Sequence, residues 1–297
     1  MAATLGLGTA QFGMPYGVTN GRGQCSPATV ADILSAAAAS GVAVLDTAPD
    51  YGDAERVVGG ALPARQSFRI VTKTIRAPGD VVDDAAIAAV RGAFLESLVR
   101  LRQTSVYGLL VHHAADLVKH GGERLVRLLE DLKRERTVTK HGVSVYDGEQ
   151  IDAVLERFTP DIVQLPLNAL DQRLVHSGHL ARLAASGVEV HVRSVFMQGL
   201  LLSAPDALPE RVRALAREPV AAFQAQARAA GATPAEAAMS AARRATGVDV
   251  VLAGVTSVAE FDELRSAWDR SLTTPFTPPA WRAQWQDLVD PRKWPRH

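Results

Sequence analysis

The sequence predicts a closed parallel (β/α)8 barrel, and three observations point that way. Eight short apolar runs recur along the 297 residues, about 37 residues apart, the length of one strand–helix unit. The runs are rich in Val, Ile and Leu with little alternation, as strands covered on both faces are. Most of them end on a polar or titratable residue, at the end of the strand where barrels place their chemistry.

In chain order, the first run is Thr4–Ala10 (TLGLGTA). Ser26 and Pro27 then cap and open a helix over Ala28–Ser40. Val42–Asp46 (VAVLD) is the second strand, and the stretch after it, through Tyr51 and Glu55, reads as a loop crossing the barrel mouth. Arg69–Lys73 (RIVTK) precedes Asp80–Leu101, which carries Val82, Ile87, Val90, Phe94 and Leu98 on one helical face. Val106–His112 is followed by a helix over Glu123–Arg136, whose charged end, Lys133–Lys140, runs solvated into the strand His141–Ser144. Helix Gln150–Phe158, strand Asp161–Leu165 and helix Leu174–Ser186 continue the alternation. Strand Val188–Ser194 leads to helices Val220–Ala230 and Pro234–Thr246, then strand Asp249–Gly254 and helix Val258–Trp268. The Pro- and Trp-rich tail, Thr273–His297, is expected to pack near the mouth.

No linker splits the chain, so one domain spans residues 1–297. An open doubly wound sheet is the alternative; it is disfavoured because Gly6-Leu7-Gly8 lacks the third glycine of a G-x-G-x-x-G turn. With 32 basic and 32 acidic side chains, nothing attracts nucleic acid or an anionic membrane. The single cysteine, Cys25, excludes a disulfide framework and a multi-cysteine metal site. No apolar run reaches the ~20 residues of a membrane span, and the opening segment lacks the pattern of a secretory signal. The expectation is a soluble, cytoplasmic globular protein with no membrane or nucleic-acid partner; no feature specifies an oligomeric state.

Reading the strand ends gives Asp46, Lys73, His112, Ser144, Gln164, Ser194 and Gly254. Lys73 stands out, because five lysines against twenty-seven arginines make Arg the default cation of this chain. An unpaired ammonium at the end of an apolar strand would cost several kcal/mol, and Asp46 on the preceding strand is the carboxylate to relieve it. Tyr51 lies five residues beyond Asp46. A phenol titrates near 10, so Lys73 beside it is expected to lower its pKa, with His112 adding a hydrogen bond to a substrate oxygen. Such a group suits proton delivery to a carbonyl oxygen. A metal reading from Asp46, His112, His113 and His141 is weakened by Lys73, whose charge opposes a dication. His141 and His191 read as barrel-core histidines, Glu55 as a loop brace, Gly59 as a close-packing position, and Cys25 has no catalytic role.

The stretch DTAPDYGDAERVVGG (Asp46–Gly60), with the Lys of IVTK and the His of LLVH at their intervals, resembles the signature of the aldo-keto reductase superfamily. GTAQFG, GVS, VQLPLNALDQ, RSVFMQGLL and VVLAGVTSVAEF extend the resemblance over nearly the whole chain. The resemblance implies metal-free reduction of aldehyde or ketone carbonyls by a nicotinamide cofactor, or oxidation of the corresponding alcohols or sugars. In it Asp46, Tyr51, Lys73 and His112 are catalytic, Tyr51 being the proton donor. Gly8, Thr9 and Ala10 would border the cofactor, Ser144 and Gln164 hold its carboxamide, and Arg193 lie by the nicotinamide. Ser194, Phe196, Gln198, Gly199 and Leu200 would line the pyrophosphate, and Gly254, Thr256, Ser257 and Glu260 the adenosine phosphate. Three departures matter: Arg193 stands where the family has an aromatic ring, Val145 replaces an Asn, and Gly254 and Glu260 replace NADP-selecting basic residues. NADPH is expected over NADH on family habit. The alternatives are a non-catalytic nucleotide-sensing member of the same fold and a metal-dependent barrel hydrolase.

Overall fold

The computed structural model describes residues 3–63 and 68–295. Strands β1 (Thr4–Gly8), β2 (Val44–Asp46), β3 (Arg69–Lys73) and β4 (Val106–Val111) are followed by β5 (Val138–Ser144), β6 (Ile162–Pro166), β7 (Glu189–Arg193) and β8 (Val250–Ala253). They pair in parallel in chain order and close between β8 and β1. The surrounding helices are α1 (Pro27–Ala39), α2 (Ala54–Ala61), α3 (Asp84–Leu101), α4 (Glu123–Arg134) and α5 (Gly148–Leu155), then α6 (His179–Ala185), α7 (Glu210–Ala229), α8 (Pro234–Arg243) and α9 (Val258–Arg270). The architecture is the (β/α)8 barrel read from the sequence.

Two cores result. The larger lies between strands and helices, where Leu7, Leu45, Leu109, Val163 and Val190 meet Ile33, Phe94, Leu129 and Phe261. The smaller fills the barrel with Val44, Val71, Leu110, Ile162, Val250 and Leu252. Side chains alternate along a strand, so residues two positions beyond these fillers also face inward. Asp46 follows Val44, Lys73 follows Val71, His112 follows Leu110 and Gln164 follows Ile162. The barrel's own packing therefore aims these polar side chains at its C-terminal mouth.

Local chemistry sets the helices. Ser26 Oγ accepts from Thr29 N at α1, Asp83 from Ala86 N at α3, and Thr233 with Glu236 forms a capping box at α8. Three expectations need correction. The stretch after β2 contains a helix, α2, hidden by its paired Gly59 and Gly60 and by Asp53 at the N-cap position with no side-chain cap bond. Helix α7 begins ten residues before Val220 and runs through Pro219, whose cost inside a helix is outweighed by the burial of Val212, Ala216, Val220 and Phe223. The helix expected over Leu174–Ser186 is broken at Gly178, which has φ +78°.

The tail packs against the barrel rim. Trp285 and Trp294 are buried, Trp294 Nε1 donates to Leu288 O at 2.7 Å, and the half-buried Trp281 sits edge-on to Trp285. Phe276 meets Phe223 of α7 edge-to-face at 5.7 Å. The Arg292 guanidinium lies 4.0 Å over the ring of Tyr146, which lines the mouth. Among the described residues no helix is long and apolar enough to cross a membrane.

Candidate active site

At the floor of the mouth Lys73 Nζ donates to Asp46 Oδ1 at 2.8 Å, to Oδ2 at 2.9 Å and to Thr47 O at 2.8 Å. Lys73 is 1% exposed and all three of its donors are used. Gln164 Nε2 gives Asp46 Oδ1 a further bond at 2.7 Å. Buried charges this close require such complete pairing. Lys73 Nζ lies 4.8 Å from the centroid of the Tyr51 ring, beside the face of the phenol rather than hydrogen-bonded to its hydroxyl.

Tyr51 reaches this position because the chain ahead of α2 packs on Gly13, in the helical turn Ala10–Gly13 after β1. Asp53 N donates to Gly13 O, and a Cβ on Gly13 would meet Tyr51 O at 1.9 Å. Behind it, Glu55 is a helical residue of α2 that accepts from Thr72 Oγ1 at 2.6 Å and from Arg100 Nε at 2.8 Å. It braces helix to strand, where a loop brace was expected. A Cβ on Gly59 would meet Arg100 O at 2.2 Å, so α2 and α3 touch backbone to backbone as expected.

His112 completes the group, its ring 6.1 Å from that of Tyr51 and nearly perpendicular to it. Its Nδ1 lies 3.2 Å from Asp50 Oδ2 without hydrogen-bond alignment. His113 stacks on His112 at 4.8 Å and places Nε2 3.4 Å from the same carboxylate. Burial pushes the His112 pKa down, so the imidazole is neutral, while the adjoining His112 holds Asp50 below the usual carboxylate range.

The sequence expectation of an acidified phenol is overturned. Burial first, and the Asp46 carboxylate second, push the Tyr51 pKa up; the leading opposing influence is Arg193. Burial also lowers the Lys73 pKa, against the pull of Asp46. Lys73 offsets the Asp46 charge and has no donor left for the phenol.

A cavity of about 530 Å³ leads away from Asp46, Tyr51 and His112. Of the expected cofactor residues, Gly8, Thr9, Ala10, Ser144, Gln164, Arg193, Ser194, Phe196, Gln198, Gly199, Gly254, Thr256 and Glu260 line it. Two do not. Leu200 is fully buried in the outer core, and Ser257 Oγ caps α9 by accepting from Glu260 N. Gln11, Tyr16, Arg22 and Tyr146 also line the cavity; sequence reading missed them because three sit in the long first βα loop and Tyr146 just after β5, where no periodicity marks a face.

The cavity fits a nicotinamide dinucleotide at several points. Gln164 is fully buried, and with Nε2 engaged on Asp46 its Oε1 has no partner, an acceptor placed to receive an amide N–H. Ser144 stands beside it in the β5–β6 register. After β7, Ser194, Met197 and Gln198 all hold positive φ, at 62°, 48° and 54°. Strain of this kind in non-glycine residues concentrates at ligand-binding segments. Thr19 Oγ1 donates to Gln198 O and Val18 N to Gln198 Oε1, tying the first βα loop to this segment. At the far end Glu260 accepts from Thr256 N at 2.7 Å and Oγ1 at 2.9 Å, with Arg22 Nε 3.7 Å away.

The alternative metal set is dispersed. Asp46 is held by Lys73, and His141 packs edge-on to Phe158 with Nδ1 3.3 Å from Asp161. By strand alternation His141 faces outward and only His191 lies in the barrel interior, bonded to Glu189 at 2.7 Å. His112 and His113 instead gather around Asp50.

The sequence matches the Aldo/keto reductase family over residues 4–276. It is 33% identical over 155 residues to a 6-dehydroglucose reductase of Novosphingobium aromaticivorans, a match covering 48% of this chain. The chain spans about half the length of that relative, 49%. Among solved structures it resembles an aldo-keto reductase of Bacillus halodurans at TM-score 0.72 and 19% identity, covering 96% of each chain. A glycerol dehydrogenase of Gluconobacter oxydans superposes at TM-score 0.66 with 21% identity, over 95% of this chain and 96% of that one. At these identities the two structures share the fold.

Proposed function

Because this chain belongs to the aldo/keto reductase family, we propose that it is an oxidoreductase that moves a hydride between a nicotinamide cofactor and the carbonyl carbon of a small molecule. It acts as one domain over residues 1–297. The observation that carries this reading is the placement of Tyr51 and His112 above the Lys73–Asp46 pair, with the free Gln164 Oε1 beside them.

A bound cofactor supplies the hydride. Tyr51 supplies the proton to the oxygen as it becomes an alkoxide. The raised proton affinity of Tyr51 suits that direction: the phenol stays loaded across the neutral range and yields its proton only to a strong base. Neutral His112 has an N–H to offer the same oxygen, and Asp50 faces its other side. Lys73 pairs with both oxygens of Asp46 and fixes that carboxylate beneath the phenol, so its role is positional. Gln164 Oε1 and Ser144 would hold the carboxamide and so orient the cofactor for transfer.

NADPH is the cofactor carried forward from the family expectation. Arg22, lining the far end of the cavity, is the cation for its 2′-phosphate. Glu260 opposes that charge, so the preference is modest. The test is turnover of a carbonyl panel with each cofactor, beginning with sugar carbonyls, which the name 6-dehydroglucose reductase of the partial relative suggests. Reduction of panel members by NADPH supports the reading. Cofactor binding with no turnover anywhere favours a nucleotide sensor, and an efficiency ratio strongly favouring NADH reverses the cofactor assignment.

A further inference from the structure

Arg193 is a cation without a carboxylate. It ends β7, and its Nη2 donates to Val145 O at 2.9 Å. Its guanidinium lies 4.3 Å over the ring of Tyr146. The same ring carries Arg292 at 4.0 Å, but Arg292 is neutralised by Asp290 at 2.7 Å and Asp147 at 3.5 Å. Among the described residues no carboxylate stands within ion-pair distance of Arg193. Its positive charge therefore borders the cavity with no direct ion-pair partner, the Asp171 carboxylate acting on it only at longer range, in the same lining as Tyr51, Ser144 and Gln164.

Hydride transfer fixes what this charge faces. The donor carbon must come within about 3–3.5 Å of the carbon whose oxygen Tyr51 protonates. The free acceptor Gln164 Oε1 takes the amide of the same ring. A ring reaching both points would border the ends of β6 and β7, where Pro166 pairs with Arg193. One side of the guanidinium is occupied by Tyr146, and Arg193 lines the cavity that would hold the ring.

We propose that Arg193 makes this site distinguish the two redox states of its cofactor, accepting the neutral dihydronicotinamide and repelling the nicotinamide cation. The proposal rests on the function inferred above. In the forward reaction the C4–H bond breaks as a new C–H bond forms at the carbonyl carbon, the ring goes from neutral to +1, and the alkoxide takes the proton of Tyr51. Only the oxidised ring is then repelled by the guanidinium. Attraction between Arg193 and the cofactor phosphates is common to both states and cancels in their ratio. The reduced form binds more tightly, the oxidised form leaves faster, and while bound the oxidised ring is the stronger hydride acceptor.

The experiment compares dissociation constants of the reduced and oxidised cofactors for the unaltered protein, Arg193→Met and Arg193→Lys. Tryptophan-fluorescence quenching follows the reduced form and calorimetry the oxidised. The unaltered protein should bind the reduced form about tenfold more tightly, the size of effect one unit charge exerts on another across a half-exposed contact. Arg193→Met should bring the two constants within about threefold of each other. Arg193→Lys keeps a charge and should retain the discrimination. An unchanged ratio in Arg193→Met, with both forms still bound, overturns the role of Arg193 and leaves the oxidoreductase reading standing. Binding of neither form to the unaltered protein overturns that reading and this one with it.

Discussion

Tyr51 and Lys73 separate two effects that a single activity measurement would merge. Removing the Tyr51 hydroxyl deletes the proton donor without touching the cofactor cavity's charged groups, so Tyr51→Phe should keep cofactor affinity within about twofold while turnover falls by about 10²–10⁴. Binding titration beside steady-state kinetics checks this, and equal turnover in the variant removes Tyr51 as donor. Lys73→Met differs in kind because it strands the Asp46 carboxylate, which is 4% exposed, without its cation. Loss of one partner of a buried pair costs about 3–5 kcal/mol, so the thermal midpoint should drop together with activity. If Lys73 instead acted by acidifying the phenol, the alkaline limb of the pH–rate profile would move while the midpoint stayed in place. Its spent donors and the raised Tyr51 pKa argue for the first outcome.

At the scale of elements, the site depends on how the chain between β2 and α2 is seated. Gly13 has no room for a side chain, because an added Cβ would overlap the carbonyl of Tyr51. Gly13→Ala should therefore displace Tyr51 and reduce kcat by at least about tenfold, leaving affinity at the distant Thr256–Glu260 end nearly unchanged. Unaltered kcat in a folded Gly13→Ala protein would mean the loop tolerates the shift. This geometry also explains what the sequence revealed. The strands were legible because both of their faces are covered, and their polar ends were legible because apolar fillers two residues earlier fix their direction. Helix α2 was not, since Gly59 and Gly60 are poor helix formers, and of the two Gly59 is needed for contact with α3. The left-handed turn at Ser194, Met197 and Gln198 was hidden too, because nothing in those residue types announces positive φ. That turn is what sends Leu200 into the core and leaves Gln198 at the cavity.

For the whole molecule, pH links the barrel's two ends to its stability. At the mouth His112 is half-buried, and on the outer face of β5 His141 is buried against Phe158, with Asp161 and Lys133 facing it. Burial lowers both pKa values from 6.5, so the unfolded chain binds more protons than the folded one as pH falls through that value. Stability must then rise with pH up to about 6.5 and level off above it. Toward the barrel's other end Glu189 accepts from His191 Nε2 at 2.7 Å, Lys140 Nζ at 2.5 Å and Tyr107 OH at 2.6 Å. Burial alone would raise its pKa, yet these bonds outweigh burial and bring it down from 4.5 to about 2. Its contribution is present above pH 4.5 and disappears as pH falls toward 2. Thermal midpoints measured from pH 8 to 3 should thus show two descending steps, one below about 6.5 and one below about 4.5. His141→Asn should shrink the upper step and leave the lower one. Glu189→Gln should destabilise the protein by about 2–4 kcal/mol at neutral pH, because it strips the charge partner from Lys140, and should flatten the lower step. A single step that neither variant alters would mean that acid acts through other carboxylates, and that the polar cluster around Glu189 is no part of what holds the barrel closed.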